Sequence, residues 1–183
     1  RKKGTRFVEI FESEPEYAGL FLDIYPIENT YNHPVLRFCQ GMIVQTLLFC
    51  ASCVRIHQKE KILLDYMSES KIRRVIKIKN WLGKKLGIFP MWKWLLFVEK
   101  WASRCKDENS RYIVIPSGRK HFWGELYKRE VFFPFRQVSF EAYEFWIMNQ
   151  PEVYLTKLFG DYMYIPSENE REKHSVAELD LGN

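Results

Sequence analysis

The sequence predicts an α+β domain, and three observations carry that prediction. From Val35 to about Leu86, and again from Met91 to Cys105, apolar residues recur at helical spacing. On either side the apolar stretches are short, aromatic or β-branched, and separated by turn residues, the pattern of small strands. No internal repeat, low-complexity tract or linker divides the 183 residues, so a single unit is the simplest organisation.

Each element follows from local chemistry. Arg6 to Phe11 and Leu20 to Tyr25 read as two strands joined by the acidic loop Glu12 to Glu16, and Pro26 stops the second. Asn29 to Pro34 is turn chemistry, and two long helices follow, separated around Asp65 to Ser70. Gly83, Gly87 and Pro90 then interrupt, and Met91 to Cys105 resumes as a third helix with Trp94, Phe97, Val98 and Trp101 on its packing stripe. Tyr112 to Ile115, Val131 to Phe133, Val138 to Phe140 and Tyr143 to Ile147 read as strands. Pro151 opens a last short helix and Gly160 ends it, and about 167–183 is a tail.

Composition bounds the function. With 46% apolar residues the chain can bury a core, and its net charge of +5 is gathered unevenly. Lys71 to Lys85 carries seven basic side chains and no acidic one, a local positive field interleaved with Ile72, Val75, Ile76, Ile78, Trp81 and Leu82. Such a helix either packs on the core with a solvated basic face or lies at an anionic membrane surface. No helix-turn-helix, zinc finger or RNP-like sequence accompanies it, so nucleic acid is not an expected partner.

Phe38 to Val54 holds seventeen uncharged residues, near the lower limit for a membrane span. Gln40, Gln45, Thr46 and Ser52 dilute it, and a buried core helix is the expectation. Cys39, Cys50, Cys53 and Cys105 are too few and too irregular for a disulfide framework and are expected as reduced, cytosolic thiols; Cys50 and Cys53 form a CxxC inside an apolar run, expected as buried small hydrophobes rather than zinc ligands. The chain opens on Arg1-Lys2-Lys3-Gly4-Thr5 rather than an apolar leader, and without a methionine, which suggests a processed or excised segment.

Asp23 stands on an otherwise apolar stretch, Gly19-Leu-Phe-Leu-Asp-Ile-Tyr-Pro26. A carboxylate buried there would need a cation or hydrogen bonds, so it is either a metal ligand or a strand-end aspartate satisfied by backbone donors. From Tyr154 to His174 the chain reads YLTKLFGDYMYIPSENEREKH: a helix, a glycine stop, Asp161 among aromatics, then Arg171 and His174. Two roles again stand open for this stretch, a wall of an anion site or a structural lock in which Asp161 caps amides and Arg171 pairs at the surface. Arg119 and Arg129 lie in SGRKHFWGELYKREVFFP, where a guanidinium can clamp a phosphate.

The terminal stretch resembles the C-terminal signature of the LicD family, phosphotransferases that include phosphorylcholine transferases of bacterial surface glycans and the fukutin-related proteins. FLDIYPIEN, Phe21 to Asn29, resembles the family's acidic strand. The resemblance implies the C-terminal part of a nucleotidyltransferase-like domain, with Asp23 as catalytic residue and ligand of Mg²⁺ or Mn²⁺, and Arg119, Arg129, Asp161, Arg171 and His174 on the substrate side. It also implies transfer of a phosphorylated alcohol such as phosphocholine from a CDP-activated donor to a cell-surface glycan or lipid-linked precursor, in the cytoplasm or at the inner face of the membrane.

The family's earlier glycine-rich turn and aspartate pair are missing, because no DxD precedes Asp23. The resemblance therefore covers the second part of the family domain, from about Arg1 to His174; either the chain is a C-terminal piece of a longer enzyme, the favoured explanation, or a short member that has lost metal binding, and little transfer activity is expected of it alone. The alternative function is a non-enzymatic module that binds a membrane surface or a partner through the basic helix 71–85.

Overall fold

The computed structural model describes residues 5–9, 19–60, 63, 70–171 and 176–180. Strand β1 (Arg6–Glu9) is followed by β2 (Glu28–Thr30), helices α1 (Pro34–Gln58), α2 (Ser70–Leu86) and α3 (Met91–Ala102), and strand β3 (Tyr112–Val114). Then come the short helix α4 (His121–Gly124), β4 (Leu126–Lys128), β5 (Arg136–Phe140), β6 (Tyr143–Ile147), α5 (Pro151–Phe159) and β7 (Val176–Asp180). Helices and open antiparallel sheets share the chain, so the architecture is α+β.

The central sheet has the order β2-β3-β4, with Asn29 opposite Ile113 and Ile113 opposite Tyr127. Because successive strand residues point to opposite faces, this small sheet serves two cores. Val114 and Leu126 face a cluster with Val44, Val98, Ala102 and Phe122, supplied by α1, α3 and α4. Ile113, Ile115 and Tyr127 face the other way, against Val131, Phe132, Met148 and Tyr154. Two further pairs complete the sheets: the β5–β6 hairpin, turning at Glu141 with φ 55°, and β1 with β7, where Phe7 faces Leu179.

Three long helices form as the periodicity predicts, but Gly83, expected to interrupt, lies inside α2, and α3 ends at Ala102 rather than Cys105. The α3 stripe packs as aromatic edges: Trp94 and Phe97 meet at 6.1 Å, and both rings contact Phe89. α2 approaches α1 so closely that a Cβ on Gly83 would stand 2.1 Å from the Cys53 carbonyl oxygen. That approach buries Ile76 and lets Lys79 Nζ donate to Ser52 Oγ at 3.0 Å. The expected break around Asp65 to Ser70 lies outside the described residues, apart from the start of α2.

Two strand assignments need correction. Leu20 to Tyr25 is irregular, with Leu22 and Ile24 84% and 85% exposed; the strand is Glu28–Thr30, held because the Thr30 side chain is fully buried against α1. Val131 to Phe133 is not a strand either. A 3-10 turn spans Arg129–Val131, and the N–H groups of Phe132 and Phe133 both donate to the Arg129 carbonyl at 3.0 Å, which removes them from any ladder. The pairing segment is instead Leu126–Lys128.

The Gly83 contact yields a test. Gly83→Ala should destabilise the protein by about 1–3 kcal/mol, because a backbone carbonyl rather than a yielding side chain meets the new methyl. The exposed neighbour Lys84→Ala should stay within about 0.5 kcal/mol of wild type. Urea denaturation of the two variants side by side measures the difference.

Candidate functional site

The candidate site begins at the Asn29 end of the central sheet. Arg129, just after β4, donates from its backbone N–H to the Arg111 carbonyl at 2.9 Å, and from Nε to the Ser110 carbonyl at 2.6 Å. Its Nη2 donates to Asn29 Oδ1. One guanidinium thus joins the FLDIYPIEN stretch to the loop before β3 and to the end of β4. Ser110 is fully buried, its hydroxyl donating to the Thr30 carbonyl, and Asn32 Oδ1 accepts from the Arg111 N–H at 2.8 Å.

This scaffold lines a cleft of about 710 Å³ with Arg111, Tyr112, Lys128, Arg129, Glu130, Phe133 and Pro134. Behind it, the Arg37 guanidinium stacks 4.1 Å over the Tyr112 ring and donates to the Tyr31 carbonyl at 2.9 Å. Glu130 supplies the acidic wall, 3.4 Å from Lys128, and both of those side chains are exposed. Three cations and one carboxylate line the cleft, a local charge balance that attracts anions.

Arg119, Asp161 and Arg171 gather elsewhere, around the C-terminal end of α5. Arg119 sits 5.6 Å over the Phe159 ring. At the helix end Gly160 adopts φ 73°, and Asp161 Oδ1 accepts from the Met163 N–H at 3.2 Å. Phe159, Asp161, Tyr162, Tyr164 and Pro166 border a cleft of about 550 Å³. Arg171 Nε donates to the Pro166 carbonyl at 3.1 Å, and Glu170 accepts from Ser167 and Tyr164. Those bonds, the Ser167 hydroxyl first, hold the Glu170 carboxyl below the ordinary range. Asp161 and Arg171 therefore have the local capping and backbone contacts of a structural lock, while His174 lies outside the described residues.

Asp23 lines neither cleft; it is exposed on the irregular segment before β2, with no hydrogen bond or ion pair among the described residues. The expectation of a carboxylate held at a buried strand end is therefore corrected. Mg²⁺ or Mn²⁺ requires several oxygen ligands, and the described residues contain no group of three His, Cys, Asp or Glu side chains able to share an ion. The described residues therefore do not by themselves assemble a site for the implied cation. Cys39, Cys50, Cys53 and Cys105 are free, and burial pushes the Cys50 and Cys53 thiols up.

A polar core not evident in the sequence surrounds Glu125. Glu125 is 1% exposed; its carboxylate accepts from the Lys120 N–H at 2.8 Å, and a Cβ on Gly118 would come within 2.4 Å of both its oxygens. Lys157 of α5 donates to the Leu126 carbonyl at 2.6 Å and lies 4.4 Å over the Tyr127 ring. Burial lowers the Lys157 pKa, and Glu125 opposes the shift. Among the described residues the buried Tyr127 hydroxyl has no hydrogen-bond partner, and burial drives its pKa far upward. Arg111 and Tyr112 were also missed as cleft residues, lying just before the basic stretch that the sequence singles out.

A further cavity of about 530 Å³ between α1 and α3 is walled by Leu48, Ala51, Ile56, Met91 and Leu95, with Arg55, Lys59 and His121 also lining it. α1 is long and apolar enough to cross a membrane by length and composition, and it packs against both α2 and α3. No protein-family model, curated protein or solved structure matches the chain.

Glu28, the first residue of β2, supplies a pH test. Burial pushes its carboxyl up, Lys106 pulls it back, and Glu99 adds to the rise. The folded pKa thus exceeds the unfolded one, so the fold binds the proton more tightly. Its stability cost is absent below about pH 4 and fully present once pH has risen through the folded pKa. Glu28→Gln should raise the melting temperature at pH 7, and the gap should close at pH 4.

Proposed function

We propose that this chain is the second part of a LicD-type phosphotransferase domain. It would act in the cytoplasm on a CDP-linked donor and a cell-surface glycan or lipid-linked acceptor. The carrying observation is the Arg129–Asn29 hydrogen bond, which joins the two stretches FLDIYPIEN and KRE beside a cationic cleft. In the reaction an acceptor hydroxyl oxygen attacks the phosphorus of the phosphorylated alcohol. The bond from that phosphorus to the CMP oxygen breaks, the hydroxyl loses its proton, and CMP departs.

This chain's part is to bind and orient. Arg111 and Lys128 attract the donor's diphosphate, and Arg129 holds the cleft in shape through its bonds to Ser110 and Asn29. The Tyr112 and Phe133 rings beside those cations offer apolar walls for the remainder of the donor. Neutralising the transferring phosphoryl group with a divalent cation would require carboxylates beyond those the described residues bring together. Support for the reading therefore concerns donor binding rather than turnover.

Arg129 is a poor probe because its loss would loosen the sheet, so the test uses the cleft's other cations. Arg111→Ala combined with Lys128→Ala should weaken CDP-choline binding about tenfold, or roughly 1.4 kcal/mol, in isothermal titration. The chain alone should release no CMP. Unchanged affinity in the double variant would remove the cleft from the reading, and CMP release by the isolated chain would contradict the need for further carboxylates.

A further inference from the structure

Independently of the transfer reading, we infer that the corner joining α2 to α3 inserts into the interface of an anionic lipid bilayer. From Lys71 to Val98 the chain carries eight basic side chains and no acidic one. α2 spends one face on α1, through Ile76, Gly83 and the Lys79–Ser52 bond. Arg73, Arg74, Lys77, Lys84 and Lys85 remain exposed on the rest of its circumference. Such a field draws the protein to negatively charged headgroups and weakens as salt screens it.

The corner itself supplies the apolar part. Ile88 is 84% exposed and Trp92 57%, with Phe89 and Leu96 also exposed. Lysines lie along the rings: Lys85 Nζ is 4.2 Å from the Trp81 ring centre, and Lys93 Nζ is 5.6 Å from that of Trp92. An aromatic body with an ammonium group alongside it suits the boundary between acyl chains and headgroups, where tryptophan and snorkelling lysine both concentrate.

The exposed side chains stand on a braced turn. Trp94 Nε1 donates to the Leu86 carbonyl at 3.2 Å, and the Phe89 ring meets Trp94 edge-on at 5.9 Å. Presenting Ile88 and Trp92 to lipid therefore requires no unfolding of the corner. Nucleic acid would engage the same cations but has no use for an exposed isoleucine at the tip, and a second copy of the chain would bring the same positive field against itself.

The test is co-sedimentation of the full chain with vesicles of phosphatidylcholine alone or mixed with phosphatidylglycerol. Binding is expected to the mixed vesicles only, to fall as salt rises, and to drop about tenfold in Ile88→Asp/Trp92→Ser with the melting temperature unchanged. Lys84→Gln/Lys85→Gln/Lys93→Gln should lose binding at moderate salt. Lipids brominated near the headgroups should quench wild-type tryptophan emission more than that of Trp92→Phe. Absent vesicle binding, binding unaffected by the tip substitutions, preferential binding to RNA, or a dimer that dissociates on the tip substitutions would each overturn the inference.

Discussion

Gln40 is a buried amide inside the apolar length of α1, and its hydrogen bonds tie the helices to the central sheet. Its Oε1 accepts from the Thr30 hydroxyl at 2.7 Å, while its Nε2 donates to the Ala102 carbonyl at 2.8 Å. At 2% exposure neither end of the amide has water to fall back on, so the bonds must form together or leave a costly orphan. One side chain thus fixes β2 and the C-terminal end of α3 onto α1. From β2 the constraint passes to Ser110 through the Thr30 carbonyl, and to Arg129 through Asn29. The cationic cleft inherits its shape from this chain of buried polar contacts.

The two basic surfaces are built differently, and the difference bears on what each can recognise. Around the cleft the cations are few and braced: Arg129 has carbonyl and amide partners, and Arg37 stacks on Tyr112. A site with fixed donors suits a small anion whose geometry must be matched. On α2 the cations are numerous and exposed, next to apolar side chains that face solvent. Such a surface discriminates by sign and apolarity rather than by shape, which suits an extended interface.

Elements whose pattern is local were legible in the sequence. Pro34, Pro90 and Pro151 mark the helix starts, and Gly160 stops α5 with the positive φ that glycine tolerates. The Tyr143–Ile147 strand was legible because its partner lies one short turn away. β2 and β4 were not, since Glu28–Thr30 and Leu126–Lys128 lack the aromatic and β-branched run of Tyr112–Val114, and their strand character comes from pairing with β3. Arg129 was legible as a basic residue in a suggestive stretch. Its role as a tie to Asn29, a hundred residues earlier, exists only in the folded chain. Asp23 misled because an apolar neighbourhood in sequence was taken for burial, whereas Leu22 and Ile24 face solvent.

Glu125 shows the reverse case: an ordinary glutamate in sequence, it is enclosed because Gly118 leaves room for its carboxylate and Lys120 offers an amide. The fold is thus set by helical patterning, whereas the site depends on buried polar contacts beginning at Gln40. Hydrogen exchange on Gln40→Leu tests that dependence most directly. Protection should fall at the amides of Glu28–Thr30 and Tyr112–Val114 as well as around Ala102, because strands and helix end share the lost amide. Loss confined to the α1 turn around residue 40, with the strands as protected as in wild type, would contradict it.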